Sequence, residues 1–201
     1  MNDNKNSVFK TYEKIANWFD EHRSRELFEK TWLDKAISLI PPTAHILDLG
    51  CGMGEPIIPY FLEKNFSITA LDGSSKLIDI AKSRYPEVEF ILGDMRKLKI
   101  NQKFDMLLAW HSLFHLTQED QKAIFPLLAS HLKPRGILLF TSGEEEGEIW
   151  SNNGGEILYH ASLSPDEYKN ILKQCGFSLI EYKISDPACG NATIWLAKLE
   201  S

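Results

Sequence analysis

The sequence predicts an α/β fold built on a mostly parallel sheet, and three observations carry that reading. Ile46-Leu47-Asp48-Leu49 is a short apolar run broken by one carboxylate; glycines follow at 50, 52 and 54, and an apolar helical pattern begins at about Glu55. Residues 67–71 alternate as a second strand ending in Asp72, and short apolar runs then alternate with helical stretches to the C-terminus. Residues 104–110 are almost continuously apolar after Asp105, as in a central strand buried on both faces. At 201 residues the chain is expected to form a single domain, with a helical lead-in over 1–42 and a sheet core over 43–201.

Composition narrows the functional classes. Asp and Glu outnumber Lys and Arg by 28 to 22, which argues against a sequence-independent grip on nucleic acid and against an anionic membrane surface. Cys51, Cys175 and Cys189 are odd in number and form no Cys-x-x-Cys pair, so neither a disulfide framework nor a zinc site is indicated. The polar first residues lack the apolar core of a signal peptide and no apolar run reaches membrane-spanning length; the expected location is the cytoplasm.

In chain order, Phe9, Tyr12, Ile15 and Phe19, then Leu27, Trp32, Leu33, Ala36 and Ile40, follow helical spacing up to Pro41-Pro42. The first strand and its glycine loop come next. Alternating glycines let the backbone turn off the strand and approach a ligand, because no Cβ intervenes. In the dinucleotide fingerprint a third glycine stands where this chain has Glu55, and the helix N-terminus holds a pyrophosphate. Glu55 and Asp48 would repel that group. The pattern instead suits a ligand with positive charge and no phosphate, such as S-adenosylmethionine (SAM). A glycine-rich turn that binds nothing is the plain alternative. Asp72 lies 22 residues after Gly50, near the spacing at which an acid meets ribose hydroxyls, although Asp-Gly-Ser-Ser is also an ordinary helix-capping turn.

Residues 88–92 form a third strand ending in Gly93-Asp94-Met95, and the fourth empties into Trp110-His111-Ser112-Leu113-Phe114-His115. Thr117 opens a helix reaching about Leu132, and Lys133-Pro134-Arg135-Gly136 turns into a fifth strand over 137–141. Residues 143–155 form a long polar loop, read as a flap beside the substrate. Ser164-Pro165-Asp166-Glu167 starts a helix that ends at Gly176, and residues 177–184 and 193–199 alternate as two final strands.

Four segments, Ile46-Leu47-Asp48-Leu49-Gly50-Cys51-Gly52-Met53-Gly54, Ala70-Leu71-Asp72, Gly93-Asp94-Met95 and Leu132-Lys133-Pro134-Arg135-Gly136, resemble in order the motifs of the class I SAM-dependent methyltransferases. The resemblance implies a Rossmann-like three-layer sandwich whose seven-stranded sheet runs 3-2-1-4-5-7-6, the last strand antiparallel. It implies SAM as methyl donor, S-adenosylhomocysteine as product, and contacts to the cofactor from Asp48, Gly50, Cys51, Gly52, Gly54, Asp72 and Gly73. By the same resemblance Asp94 accepts from the adenine amino group, the Met95 backbone meets the ring, and Tyr12 and Arg23 reach the methionine end. Trp110 and His111 stand where the transferred methyl should point.

Methyl transfer from a sulfonium asks mainly for proximity; a base matters only for an acceptor that is protonated at working pH. His111 is the candidate base, and His115, Trp150 and His160 are candidates for acceptor binding. The fourth strand is followed neither by Asn/Asp-Pro-Pro-Tyr, as in amino-methylation of DNA bases, nor by paired acids for magnesium, so no metal is expected. The reading is methyl transfer to an O or N atom of a small molecule. A SAM-binding module without catalysis and a nicotinamide-dependent oxidoreductase are the alternatives. The sequence leaves acceptor and oligomeric state open.

Overall fold

Helix-forming and strand-forming stretches settle into two layers of helices around one sheet in the computed structural model, which describes residues 5–200. The helices are α1 Val8–His22, α2 Lys30–Ile37, α3 Ile57–Glu63, α4 Ser75–Arg84, α5 Gln118–His131 and α6 Pro165–Gln174. The strands are β1 His45–Leu49, β2 Ser67–Asp72, β3 Glu89–Leu92, β4 Phe104–Ala109, β5 Leu132–Ser142, β6 Gly147–Asn153, β7 Glu156–Ser162, β8 Phe177–Asp186 and β9 Ala192–Leu199. The main sheet runs β3-β2-β1-β4-β5-β9-β8. Numbered without β6 and β7, that order is the expected 3-2-1-4-5-7-6. β1 to β5 pair in parallel and β9 is antiparallel to both neighbours.

Successive strand residues point to opposite faces, so each central strand feeds two cores. Ile46, Met106, Leu108, Leu139 and Ile194 pack with Trp32 and Leu33 of α2 and Ile58 and Phe61 of α3. Leu47, Leu107, Leu138, Phe140 and Trp195 pack on the other side with Phe125 and Leu128 of α5 and Tyr168 and Leu172 of α6. Side-chain caps fix the helix starts. Thr117 accepts from the Asp120 N–H at 3.1 Å, and Ser164 and Glu167 complete a capping box at α6. Among the described residues no helix is long and apolar enough to cross a membrane.

Three local expectations are corrected. The long polar loop over 143–155 is largely strand: β6 and β7 pair as a two-stranded antiparallel sheet outside the main one. Its apolar backing comes from Val8 and Ile15 of α1, which cluster with Leu158, Tyr159 and Ala161. The helical lead-in is two helices separated by an extended break at Arg23 (φ −65°, ψ 126°). Finally, Lys133-Pro134-Arg135 lies inside β5, where the β4 register shifts between Phe104 and Met106 and Arg135 takes φ 66°.

α1 lies over the carboxyl ends of the strands and is tied down by polar contacts. The Glu13 carboxylate accepts from the hydroxyls of Ser74 (2.7 Å) and Ser75 (2.9 Å) and from the Lys76 N–H (3.0 Å) at the start of α4. Asp20 accepts a two-pronged contact from Arg84, 2.7 Å on each side.

Candidate functional site

β1, β2 and β4 end together under α1 and the β6–β7 hairpin, and a cavity of about 400 Å³ opens there. Every candidate site residue except Trp150 lines it. The crevice beyond the strand ends, where the sheet order reverses between β1 and β4, is where such sheets bind ligands.

The glycine loop is held by β2. The N–H groups of Gly50 and Cys51 donate to the Leu71 carbonyl at 2.7 and 3.1 Å. One Asp72 oxygen accepts from the Gly52 N–H at 2.9 Å and the other from the Ser74 N–H at 2.8 Å. Asp72 thus clamps the loop to the start of α4, and each oxygen keeps lone-pair capacity for a ligand donor. Burial raises its pKa, partly countered by the N–H groups of Ser74, Gly52 and Gly73. Glycine is required at two points of close approach. Gly50 has φ 79°, and a Cβ there would stand 2.4 Å from Ser112 Cβ; a Cβ on Gly73 would stand 2.6 Å from Phe9 Cβ.

Asp48 is 3% exposed, and among the described residues no donor reaches its carboxyl. Burial, then the charges of Asp72 and Glu29, push its pKa up to about 7. A buried acid without a donor, facing a cavity, is a place for a cationic ligand group.

Glu55 does not act as expected. It accepts from Arg25 Nε and from the Tyr85 hydroxyl (3.2 Å), with Arg84 Nε at 3.8 Å. These partners answer its charge, so the negative potential beside the loop comes from Asp48 and Asp72. Asp94 is also engaged: Arg96 Nε lies 2.9 and 3.0 Å from its two oxygens. Burial opposes ionisation of Asp94, but the Arg96 side chain, backbone N–H and charge outweigh it and hold the carboxyl below the usual range. Arg96 also donates to Asp120 (3.0 Å) and to the Asn6 carbonyl (2.8 Å), joining the adenine-side candidate to the N-terminal segment.

Arg23 lines the cavity, and among the described residues no carboxylate lies within ion-pair distance of it. Tyr12 and His115 bond to each other instead of to open space. His115 Nδ1 lies 3.0 Å from the Tyr159 carbonyl, which can only accept, so Nδ1 carries the proton; Nε2 then accepts from the Tyr12 hydroxyl at 3.0 Å. Burial pushes His115 down to about 3, keeping the ring neutral. With both nitrogens spent, His115 ties α1 to the hairpin and offers the cavity its ring but no free nitrogen.

His111 follows β4 with φ 50°, a strained conformation for a residue with a Cβ, and its N–H donates to Thr141 Oγ1 at 2.8 Å. Burial, then the Arg23 cation, push its pKa down to about 4. Its ring nitrogens have no hydrogen-bond partner among the described residues. Trp150 departs from its expected place: it is 44% exposed, pairs with Tyr159 on the pleat opposite Leu158 and His160, and does not line the cavity. Phe9 and Phe19 do line it, and sequence reasoning gave them no such part. Their helical spacing was the available signal. Among the described residues no group of three or more His, Cys, Asp or Glu side chains could hold a metal ion.

Comparison with known proteins places this geometry. A family model described as a methyltransferase domain matches residues 46–136, from β1 to Gly136 in β5. The chain is 28% identical to the ubiquinone/menaquinone biosynthesis C-methyltransferase UbiE of Campylobacter jejuni, over 96% of this chain and 94% of that protein. It is 26% identical to an O-methyltransferase of Pyrenophora dematioidea, over 83% of this chain and 68% of that protein. Among solved structures, the CcbJ methyltransferase of Streptomyces caelestis superimposes with a TM-score of 0.76 at 15% identity, covering 98% of this chain and 99% of that one.

Proposed function

We propose that this chain, which belongs to the class I S-adenosylmethionine-dependent methyltransferase superfamily, transfers a methyl group from SAM to an O or N atom of a small molecule held in the cavity beyond β4. The observation that carries the reading is the buried acid pair around the glycine elbow: Asp72 clamped to the Gly52 N–H and Asp48 without a donor among the described residues. These acids fit the group. Asp72 keeps acceptor capacity for ribose hydroxyls, Asp48 offers an anion to a cationic centre, and Arg23 offers a guanidinium to a carboxylate.

When bound, SAM supplies a methyl on a positively charged sulfur that an acceptor atom displaces in line. The protein's part is to position and to exclude water. Trp110, 5% exposed, and the α1 roof close the strand ends to solvent, so electrostatic interactions inside are screened less than in water. Asp94, its carboxyl oriented by Arg96, retains lone pairs for an exocyclic amine. His111, neutral above about pH 4, can take the proton of a hydroxyl acceptor as the new bond forms, or that of an ammonium beforehand so that its nitrogen gains the attacking lone pair. The names of the two relatives divide between C- and O-methylation, so the atom methylated is part of the proposal.

Calorimetry with S-adenosylhomocysteine and with NAD, followed by an acceptor screen with labelled SAM, tests the reading. Uptake of the adenosyl-sulfur compound but not NAD, with labelled product, is expected. Binding of NAD alone would reject it, and tight binding without product from any acceptor would favour a non-catalytic module. His111→Ala is expected to lower turnover by about 10²-fold or more, as loss of a general base does, while S-adenosylhomocysteine affinity changes little; unchanged turnover removes His111 from the chemistry.

A further inference from the structure

The β6–β7 hairpin brings a polar relay to the acceptor side of the cavity. Asn153 Nδ2 donates to Ser151 Oγ at 2.9 Å, and Ser151 Oγ lies 2.7 Å from His160 Nε2. Asn153 and His160 line the cavity, with Ser151 linking them. Ser151 Oγ accepts from Asn153, and among the described residues its own O–H has no acceptor other than His160 Nε2, so the arrangement that satisfies the hydroxyl directs that O–H to Nε2. A neutral imidazole that accepts at Nε2 carries its proton at Nδ1. Among the described residues nothing takes a hydrogen bond from that nitrogen. Burial favours the neutral ring.

The surroundings are flat and aromatic. The Phe114 ring lies 5.4 Å from His160 and 5.7 Å from His111, and His160 lies 4.8 Å from His115. The charged groups nearby are otherwise engaged: Lys5 pairs with Glu148 and lies 5.1 Å above the Tyr159 ring. The ring faces favour a planar ligand, and the unspent N–H favours an oxygen on it.

We propose that His160, aimed by Ser151 and Asn153, donates a hydrogen bond from Nδ1 to an oxygen of a hydroxylated aromatic acceptor, making the hairpin the element that selects the methyl acceptor. This rests on the methyl-transfer reading of the same cavity. His160 touches the acceptor, whereas Ser151 and Asn153 act through it as positioning residues. If the oxygen is itself methylated, its lone pair forms the new bond to carbon, the carbon–sulfur pair stays on sulfur, and the O–H proton passes to His111.

The test uses this chain labelled with ¹⁵N-histidine and saturated with S-adenosylhomocysteine, titrated with phenol and with toluene as the probe lacking oxygen. Wild type is expected to show His160 protonated at Nδ1 and to bind phenol about tenfold more tightly than toluene, the worth of one satisfied hydrogen bond. His160→Asn, which keeps an amide N–H near the Nδ1 position, should retain that preference. His160→Gln should lose it. Ser151→Ala should release the tautomer and reduce the preference while S-adenosylhomocysteine affinity holds. Protonation at Nε2 in wild type, no preference for phenol, or a preference that survives both H160Q and S151A would overturn the proposal. Failure to take up S-adenosylhomocysteine would instead reject the methyl-transfer reading, which separates the two.

Discussion

Asp48 sets the electrostatics of the site because it is the acid with least compensation. Asp72 gives one oxygen to each of two N–H groups, and Glu55 is answered by Arg25 and Tyr85, whereas Asp48 is 3% exposed with no donor among the described residues. With its pKa pushed up to about 7, its carboxyl holds a proton below that pH. A group whose folded pKa is raised gives stability that is full below its unfolded pKa and is lost as pH rises through the folded value, here about 7. A cationic ligand favours the anion, so binding below pH 7 should release a proton. SAM affinity is therefore expected to weaken as pH drops from 7 toward 5, by up to about tenfold per unit. Asp48→Asn should flatten that dependence and bind more weakly at pH 8. Calorimetry in buffers of different ionisation enthalpy reads the proton directly. A wild-type profile that is flat, or that the Asp48→Asn variant reproduces, rejects the assignment. His111, already neutral above about pH 4, should contribute no inflection in this window.

At the scale of elements, the roof over the cavity is pinned by polar ties as well as by its apolar clusters. Glu13 on α1 caps the start of α4 from outside, accepting from Ser74, Ser75 and the Lys76 N–H, chiefly the last of which holds its carboxyl below the usual range. That contribution is present above the unfolded carboxylate pKa and fades as pH falls through the folded value. Glu13→Ala is expected to cost about 1 kcal/mol, discounted because the carboxylate is solvated. Amide exchange should quicken across α1 while β4 keeps its protection; equal loss in both would mean a global effect instead. The sequence revealed β1, the glycine loop and β4 because their periods and turn residues are local properties. Glu13's partners lie more than 60 residues away, so nothing near it marks its role. The hairpin was hidden for a related reason. Its polar Glu, Asn and Gly residues leave β6 largely facing solvent, and the apolar backing of β7 is on α1, over 130 residues earlier. Trp150 was misplaced by one pleat, since aromatic character says nothing about which face a strand residue takes. Arg96, which grips Asp94, sits two residues beyond a motif acid and carried no signal of its own.

Over the whole molecule, the sheet and the roof have different work. Seven strands with helices on both faces form the main body, while α1 and the hairpin close one end and touch each other through Lys14–Glu156 (3.0 Å) and the Val8–Ile15–Tyr159 cluster, with His115 bridging Tyr12 to the Tyr159 carbonyl. The hairpin turn meets α1 at Gly154, which has φ 57° and whose added Cβ would stand 2.8 Å from the Trp18 ring. Ala at that position must both strain the turn and push the hairpin off α1. Because the main sheet has no part in that contact, the effect should fall on closure. Gly154→Ala is expected to weaken SAM binding by about fivefold, equivalent to about 1 kcal/mol, with a melting temperature within about 4 °C of wild type, since such a loss is spread over a domain of this size. Acceptor discrimination should decline alongside, because Asn153 and Ser151 adjoin the displaced turn. Calorimetry and thermal unfolding on the same sample decide it. A large drop in melting temperature would show that roof and sheet unfold as one unit, and unchanged affinity would show that the hairpin does not govern access to the cavity.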